Sequence, residues 1–229
     1  MKKENELKRC ILDGNKKLKE QNLHSALNDF LQAQELDPEN PEIHYYLGIT
    51  YARMANYESA VEHLENILGA ELAYIHNVHV QMILGYIYTI QEEYEKALPF
   101  FQGILKAGFD NAQAYAAIGY IMDRLGNLKE AVMNLYRAVE LDPDNANAHN
   151  SLGYIYAEAG LNLEEALEEC KKAVTLDENN PAYLDSLGWV YYKIGKIGQA
   201  QSYLKKALKI APENAEILNH LHILEETLT

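Results

Sequence analysis

Residues 112–145 read AQAYAAIGYIMDRLGNLKEAVMNLYRAVELDPDN, two helical patterns joined by a turn. Tyr115, Ile118, Gly119 and Met122 make one apolar stripe at i, i+3/i+4, i+7 spacing, and Leu128, Ala131, Leu135 and Ala138 make another. Gly126-Asn127 between them suits the left-handed exit of the first helix. Asp142-Pro143-Asp144-Asn145 ends the second, because proline cannot continue a helix and Asp and Asn accept local backbone hydrogen bonds.

The same pattern recurs outward in both directions. Glycine stands at Gly14, Gly48, Gly85, Gly119, Gly153 and Gly188, at intervals of 34, 37, 34, 34 and 35 residues. Alanine follows it at Ala26, Ala60, Ala97, Ala131, Ala166 and Ala200. A period near 34 built from two helix-sized segments predicts an all-α solenoid of antiparallel helix pairs. The expected units are 7–40, 41–74, 78–111, 112–145, 146–180 and 181–214, with an insertion at 75–77 and an extra residue near Gly160. A capping helix is expected over 215–229, with Ile217, Leu218, Leu221, Leu224 and Leu228 on its apolar side. Residues 1–229 then form one array with a continuous core. A glycine inside a helix costs about 1 kcal/mol against alanine, so its recurrence implies close approach of the paired helix, with Ala131 and its equivalents expected opposite.

Composition narrows the function. Apolar residues are 48% of the chain, too many for a disordered protein. A net charge of −14 repels phosphate backbones and argues against nucleic acid as the ligand. No run of about 18 apolar residues exists to insert into a membrane. Cys10 and Cys170 fall at apolar helical positions, as free thiols in a reducing compartment would. With Met1 as the natural start, the charged first residues lack the apolar run of a signal peptide, and the cytoplasm is expected; a removed leader would instead imply the periplasm or the exterior.

Chemistry is poorly represented. The eight histidines form no His-Glu-x-x-His motif, and there is no Cys-x-x-Cys, phosphate-binding glycine loop or Gly-x-Ser-x-Gly turn. His44 and His149 recur at one unit position and are read as packed rings; His76 and His79 share a helix face at the insertion without further ligands. No catalytic residue, metal site or cofactor is expected.

The pattern resembles the tetratricopeptide-repeat family. Its motif is matched by Leu152-Gly153…Tyr156…Ala166…Cys170…Ala173 and by Leu187-Gly188…Tyr191…Ala200…Leu204…Ala207…Pro212. The first unit departs most, with Cys10, Asp13 and Lys17 where Trp, Leu and Tyr are usual. Leu72 and Phe109 stand where proline is usual. The segment from Asn180 to Tyr192 is similar to units common in prokaryotic repeat proteins. The resemblance implies a right-handed superhelix whose concave wall is made by the first helix of each unit, exposing unit positions 2, 5, 9, 12 and 13.

Position 9 then reads Asn15, Ile49, Tyr86, Tyr120, Tyr154 and Trp189. With Tyr45 and Asn150 at position 5, Tyr192 at position 12 and Arg124 at position 13, these make an aromatic groove with a charged rim. Aromatic side chains of this kind carry much of the energy in protein interfaces. The alternative is that the ladder packs on neighbouring helices. The basic clamp that holds chaperone C-termini is missing, and so is the asparagine ladder of glycosyltransferase repeat domains. The resulting expectation is a monomeric, non-catalytic adaptor that binds a peptide segment or amphipathic helix of a partner protein. A self-assembling scaffold, or the repeat region of a larger protein, are the alternatives.

Overall fold

The computed structural model describes residues 2–70, 74–108 and 110–228. Among them there are helices and turns but no strand, in two compact bodies, Met1–Ala107 and Gly108–Thr229. The N-terminal body holds α1 (Lys2–Lys19), α2 (Leu23–Leu36), α3 (Pro41–Arg53), α4 (Tyr57–Glu65), α5 (Tyr74–Ile90) and α6 (Tyr94–Lys106). The C-terminal body holds α7 (Ala112–Arg124), α8 (Leu128–Leu141), α9 (Ala146–Ala159), α10 (Leu163–Leu176), α11 (Pro181–Lys193), α12 (Ile197–Ile210) and α13 (Ala215–Glu226). Within each body every odd-numbered helix packs on the even-numbered helix after it and on the next odd-numbered one, and α13 closes on α11 and α12.

Asparagine starts most of these helices. Asn22, Asn40, Asn56, Asn111, Asn127, Asn145, Asn180 and Asn214 each accept a backbone N–H of the first turn on the side-chain oxygen. Such a cap stabilises a helix by about 1 kcal/mol relative to alanine. The first helices leave through a residue in the left-handed region: Gln21, Ala55 and Glu92 in the N-terminal body, Gly126, Gly160 and Gly195 in the C-terminal body. The extra residue of the fifth unit lies at Gly160-Leu161-Asn162, where Asn162 is also left-handed (φ 46°) and makes no cap bond.

The glycines mark a lock inside each hairpin, and its nearest partner is the side chain one turn beyond the alanine. A Cβ on Gly119 would lie 2.5 Å from Leu135 Cγ and 3.1 Å from the Ala131 carbonyl oxygen. Gly14 meets Phe30, Gly48 Leu64, Gly85 Phe101, Gly153 Cys170 and Gly188 Leu204 in the same way. In five hairpins the glycine makes room for a phenylalanine or leucine one turn beyond the alanine, and at Gly119 and Gly153 the alanine carbonyl also lies within 3.1 Å of the added Cβ. All six partners are buried.

The first unit folds despite its departures. Cys10, Gly14 and Leu18 are the buried positions of α1, and Lys17 pairs with Asp29 of α2 at 2.5 Å. The insertion extends α5 to 17 residues and accompanies an α4 of only 9. Leu72 and Phe109 lie outside the described residues. The apolar side of α13 differs from the expectation: Ile217, His220, Leu221 and Leu224 are buried, whereas Leu218 and Leu228 face solvent. His220 takes a place in the buried set because its ring bonds to the buried Asp185 of α11 and stacks on Trp189.

Candidate functional site

In the C-terminal body a cavity of about 240 Å³ is lined by α7, α9, α11, the Asn214 cap and α13, and by no residue of α8, α10 or α12. Four of the groove residues read from the sequence meet there: Tyr120, Arg124, Asn150 and Tyr154. Tyr120 is 40% exposed. Tyr154 is partly covered, and its hydroxyl donates to Glu216 Oε1 at 3.0 Å, tying α9 to α13. Burial and the neighbouring Glu216 push the Tyr154 phenol far up, so it stays protonated and able to donate.

Trp189 does not enter the cavity. It is 6% exposed, stacked on His220 (centroids 4.1 Å, planes 16° apart) and on Tyr192 (4.9 Å, 20°), and its Nε1–H donates to Glu158. Lys193 Nζ sits 5.0 Å above the indole. Position 9 of the last unit is roofed by α13, so the aromatic there becomes a packing element, and Tyr192 serves beside it.

His220 is itself held by Asp185, whose two oxygens lie 3.0 and 2.9 Å from Nδ1, both groups being buried. Burial raises the Asp185 carboxyl while the hydrogen bond and charge of His220 oppose that rise. A buried pair of this kind loses about 3–5 kcal/mol when one partner is removed. It anchors α13 and shapes one wall of the cavity.

The cavity also contains residues that the aromatic reading passed over. Asp123, Ser151, Ser186 and Glu216 line it. Asp123 stands at position 12 and Glu216 at the position-2 equivalent of α13, so both were accessible to the same unit numbering. Burial raises the Asp123 carboxyl, Arg124 lowers it and Glu158 raises it again. The side-chain oxygen of Asn150 is buried with no hydrogen-bond partner among the described residues.

In the N-terminal body Tyr45 is buried, its hydroxyl 2.8 Å from His79 Nδ1 and its ring 4.4 Å from that of His76. Tyr46 beside it accepts from Asn15 Nδ2 at 2.7 Å and stacks on Phe30. Tyr86 projects more, resting edge-on against Phe101 at 5.3 Å. The recurrent histidines are structural: His44 Nε2–H donates to the Pro38 carbonyl at 2.9 Å and His149 Nε2–H to that of Pro143 at 2.9 Å, each securing the turn before its helix. Among the described residues no group of three or more His, Cys, Asp and Glu is placed to hold a metal ion, and no helix is long and apolar enough to cross a membrane.

Helical hairpins repeating about every 34 residues, with first helices packed on one another within each body, define a helical-repeat protein of the kind that binds other proteins. Three models of the tetratricopeptide repeat match the chain, over 14–54 with 119–160, over 48–112 and over 144–213, and the chain belongs to that family. It is 28% identical over 131 residues to the human cell division cycle protein 16 homolog, covering 55% of this chain and 21% of that protein. The chain thus spans about a fifth of the length of such curated relatives. Among solved structures, a tetratricopeptide repeat protein from Parabacteroides merdae superposes with a TM-score of 0.76 at 16% identity, covering 98% of this chain and 87% of that one. YrrB, described as a TPR protein with an unusual peptide-binding site, gives 0.56 at 24% identity, covering 83% and 96%.

Proposed function

We propose that the chain is a non-catalytic adaptor that holds a segment of a partner protein in the groove formed by α7, α9, α11 and α13. The observation that carries this is the cavity itself: its walls come from three first helices and the capping helix, and it presents two tyrosines among several polar groups. Tyrosines supply apolar area and a polar tip at little entropic cost, and a preformed wall spares the ordering cost of binding. The peptide-binding site described for YrrB supports the same use of a similar fold. The chain is proposed to act as a monomer in the cytoplasm, with α13 covering the apolar side of α11 and α12.

The test is capture from source lysate on immobilised chain. Tyr120→Glu should lose the captured polypeptide, whereas Met133→Glu, at a residue of α8 that is 61% exposed and remote from the cavity, should keep it. Circular dichroism should be unchanged in both. Retention by Tyr120→Glu with loss in Met133→Glu would place binding on the outer helices and overturn the groove reading.

A further inference from the structure

We propose that the cavity of the C-terminal body receives a cationic side chain, in first place an arginine, from an extended segment of the partner protein. This rests on the groove reading above and adds the chemistry of the ligand.

Charge complementarity is the first argument. Three carboxylates, Asp123, Asp185 and Glu216, line the cavity against one guanidinium, that of Arg124 beside Asp123. Glu158 adds to the same field, since it raises both the Asp123 carboxyl and the Tyr154 phenol after burial has done so. Asp185 is engaged by His220, and Glu216 accepts the Tyr154 hydroxyl on one oxygen, so carboxylate lone pairs remain.

The second argument is an unmet acceptor. The buried Asn150 side-chain oxygen lacks a donor, and such a group costs about 1–3 kcal/mol until something donates to it. A guanidinium offers five N–H groups in a planar fork, enough to reach Asn150 and a carboxylate together. Tyr120 and Tyr154 line the same cavity, and a guanidinium is attracted to aromatic rings, more strongly where water is excluded.

Size is the third. A cavity of about 240 Å³ has room for one long side chain. An arginine inserted from an extended backbone fits that volume; an amphipathic helix would lie across its mouth.

The experiment uses the whole chain and three small probes, the N-acetyl methylamides of arginine, lysine and glutamate, titrated while backbone amide NMR signals are followed. The arginine probe should give saturable shifts at Tyr120, Asp123, Asn150 and Ser151, the lysine probe weaker ones and the glutamate probe none. Asp123→Asn, or Glu216→Gln as an independent variant, should weaken the arginine probe about fivefold, and added salt should weaken it further. Saturable binding of the glutamate probe at these residues, indifference to both variants, or no saturable shift with arginine would each overturn the proposal. Failure here with partner capture still dependent on Tyr120 removes the cationic ligand and leaves the groove reading standing. Arginine-probe shifts at the cavity with capture indifferent to Tyr120→Glu remove the groove reading instead.

Discussion

Replacing Gly119 by alanine tests the lock inside the hairpin. The new methyl would sit 2.5 Å from Leu135 Cγ and 3.1 Å from the Ala131 carbonyl oxygen. Both are inside ordinary contact, so Leu135 must turn and the two helices must part. Overpacking of this size costs about 1–3 kcal/mol, against a gain of about 1 kcal/mol in helix propensity. The net expectation is a loss of up to about 2 kcal/mol. Leu135→Ala alone should cost about 2–5 kcal/mol by leaving a cavity. In that background the alanine at 119 has space, so its cost should vanish or become a gain. A double-mutant cycle by urea unfolding, at matched slopes, should therefore show coupling of at least about 1 kcal/mol. Additivity within about 0.5 kcal/mol, or a Gly119→Ala variant more stable than the parent, would refute the close approach.

Two further outcomes follow from the N-terminal body. Gln21, Ala55 and Glu92 occupy left-handed φ values of 61°, 57° and 59°, a conformation that costs an L-residue about 1–2 kcal/mol. Ala55→Gly should then stabilise by about 0.5–1 kcal/mol after the added freedom of the unfolded chain is subtracted, and a lower melting temperature would contradict it. His63 and His79 titrate below their ordinary 6.5, His63 through burial and then His44, His79 through burial, Arg53 and His76. The unfolded chain binds protons that the folded one refuses, so this stability is complete above about pH 6.5 and is lost as pH falls through the depressed values. Stability at fixed urea should decline below pH 6.5, and His63→Gln should flatten the decline; an unchanged slope would exclude His63 as its source.

The fold was legible because its determinants are local and repeat. Glycine spacing gave the hairpin period, Asn and Pro gave the ends, and both irregularities lie near their expected places, at the start of α5 and at Gly160-Leu161-Asn162. The partner of each glycine was less legible, since alanine and the large residue after it recur with the same period and only packing separates them. The site was read in part. Tyr120, Arg124, Asn150 and Tyr154 converge because unit positions map onto one wall. Trp189 holds the same register yet lies beneath α13, and a motif cannot show which copy is covered by its neighbour. Asp123 and Glu216 are carboxylates on polar helix faces, and nothing in a sequence separates a carboxylate that lines a cavity from one that faces solvent.

The constancy of the glycine lock has a consequence for how such chains change length. Five of the six locks join residues 16 apart, and the three-residue insertion in the first turn of α5 leaves the Gly85–Phe101 spacing intact. Only the insertion between a glycine and its partner alters it, to 17, and there the pocket beside Gly153 is filled by Cys170, a side chain smaller than the phenylalanines and leucines elsewhere. Each locked span is in effect a sealed cassette. Residues can be added between cassettes without disturbing the register inside any of them, whereas an addition inside one demands a compensating change at its seal.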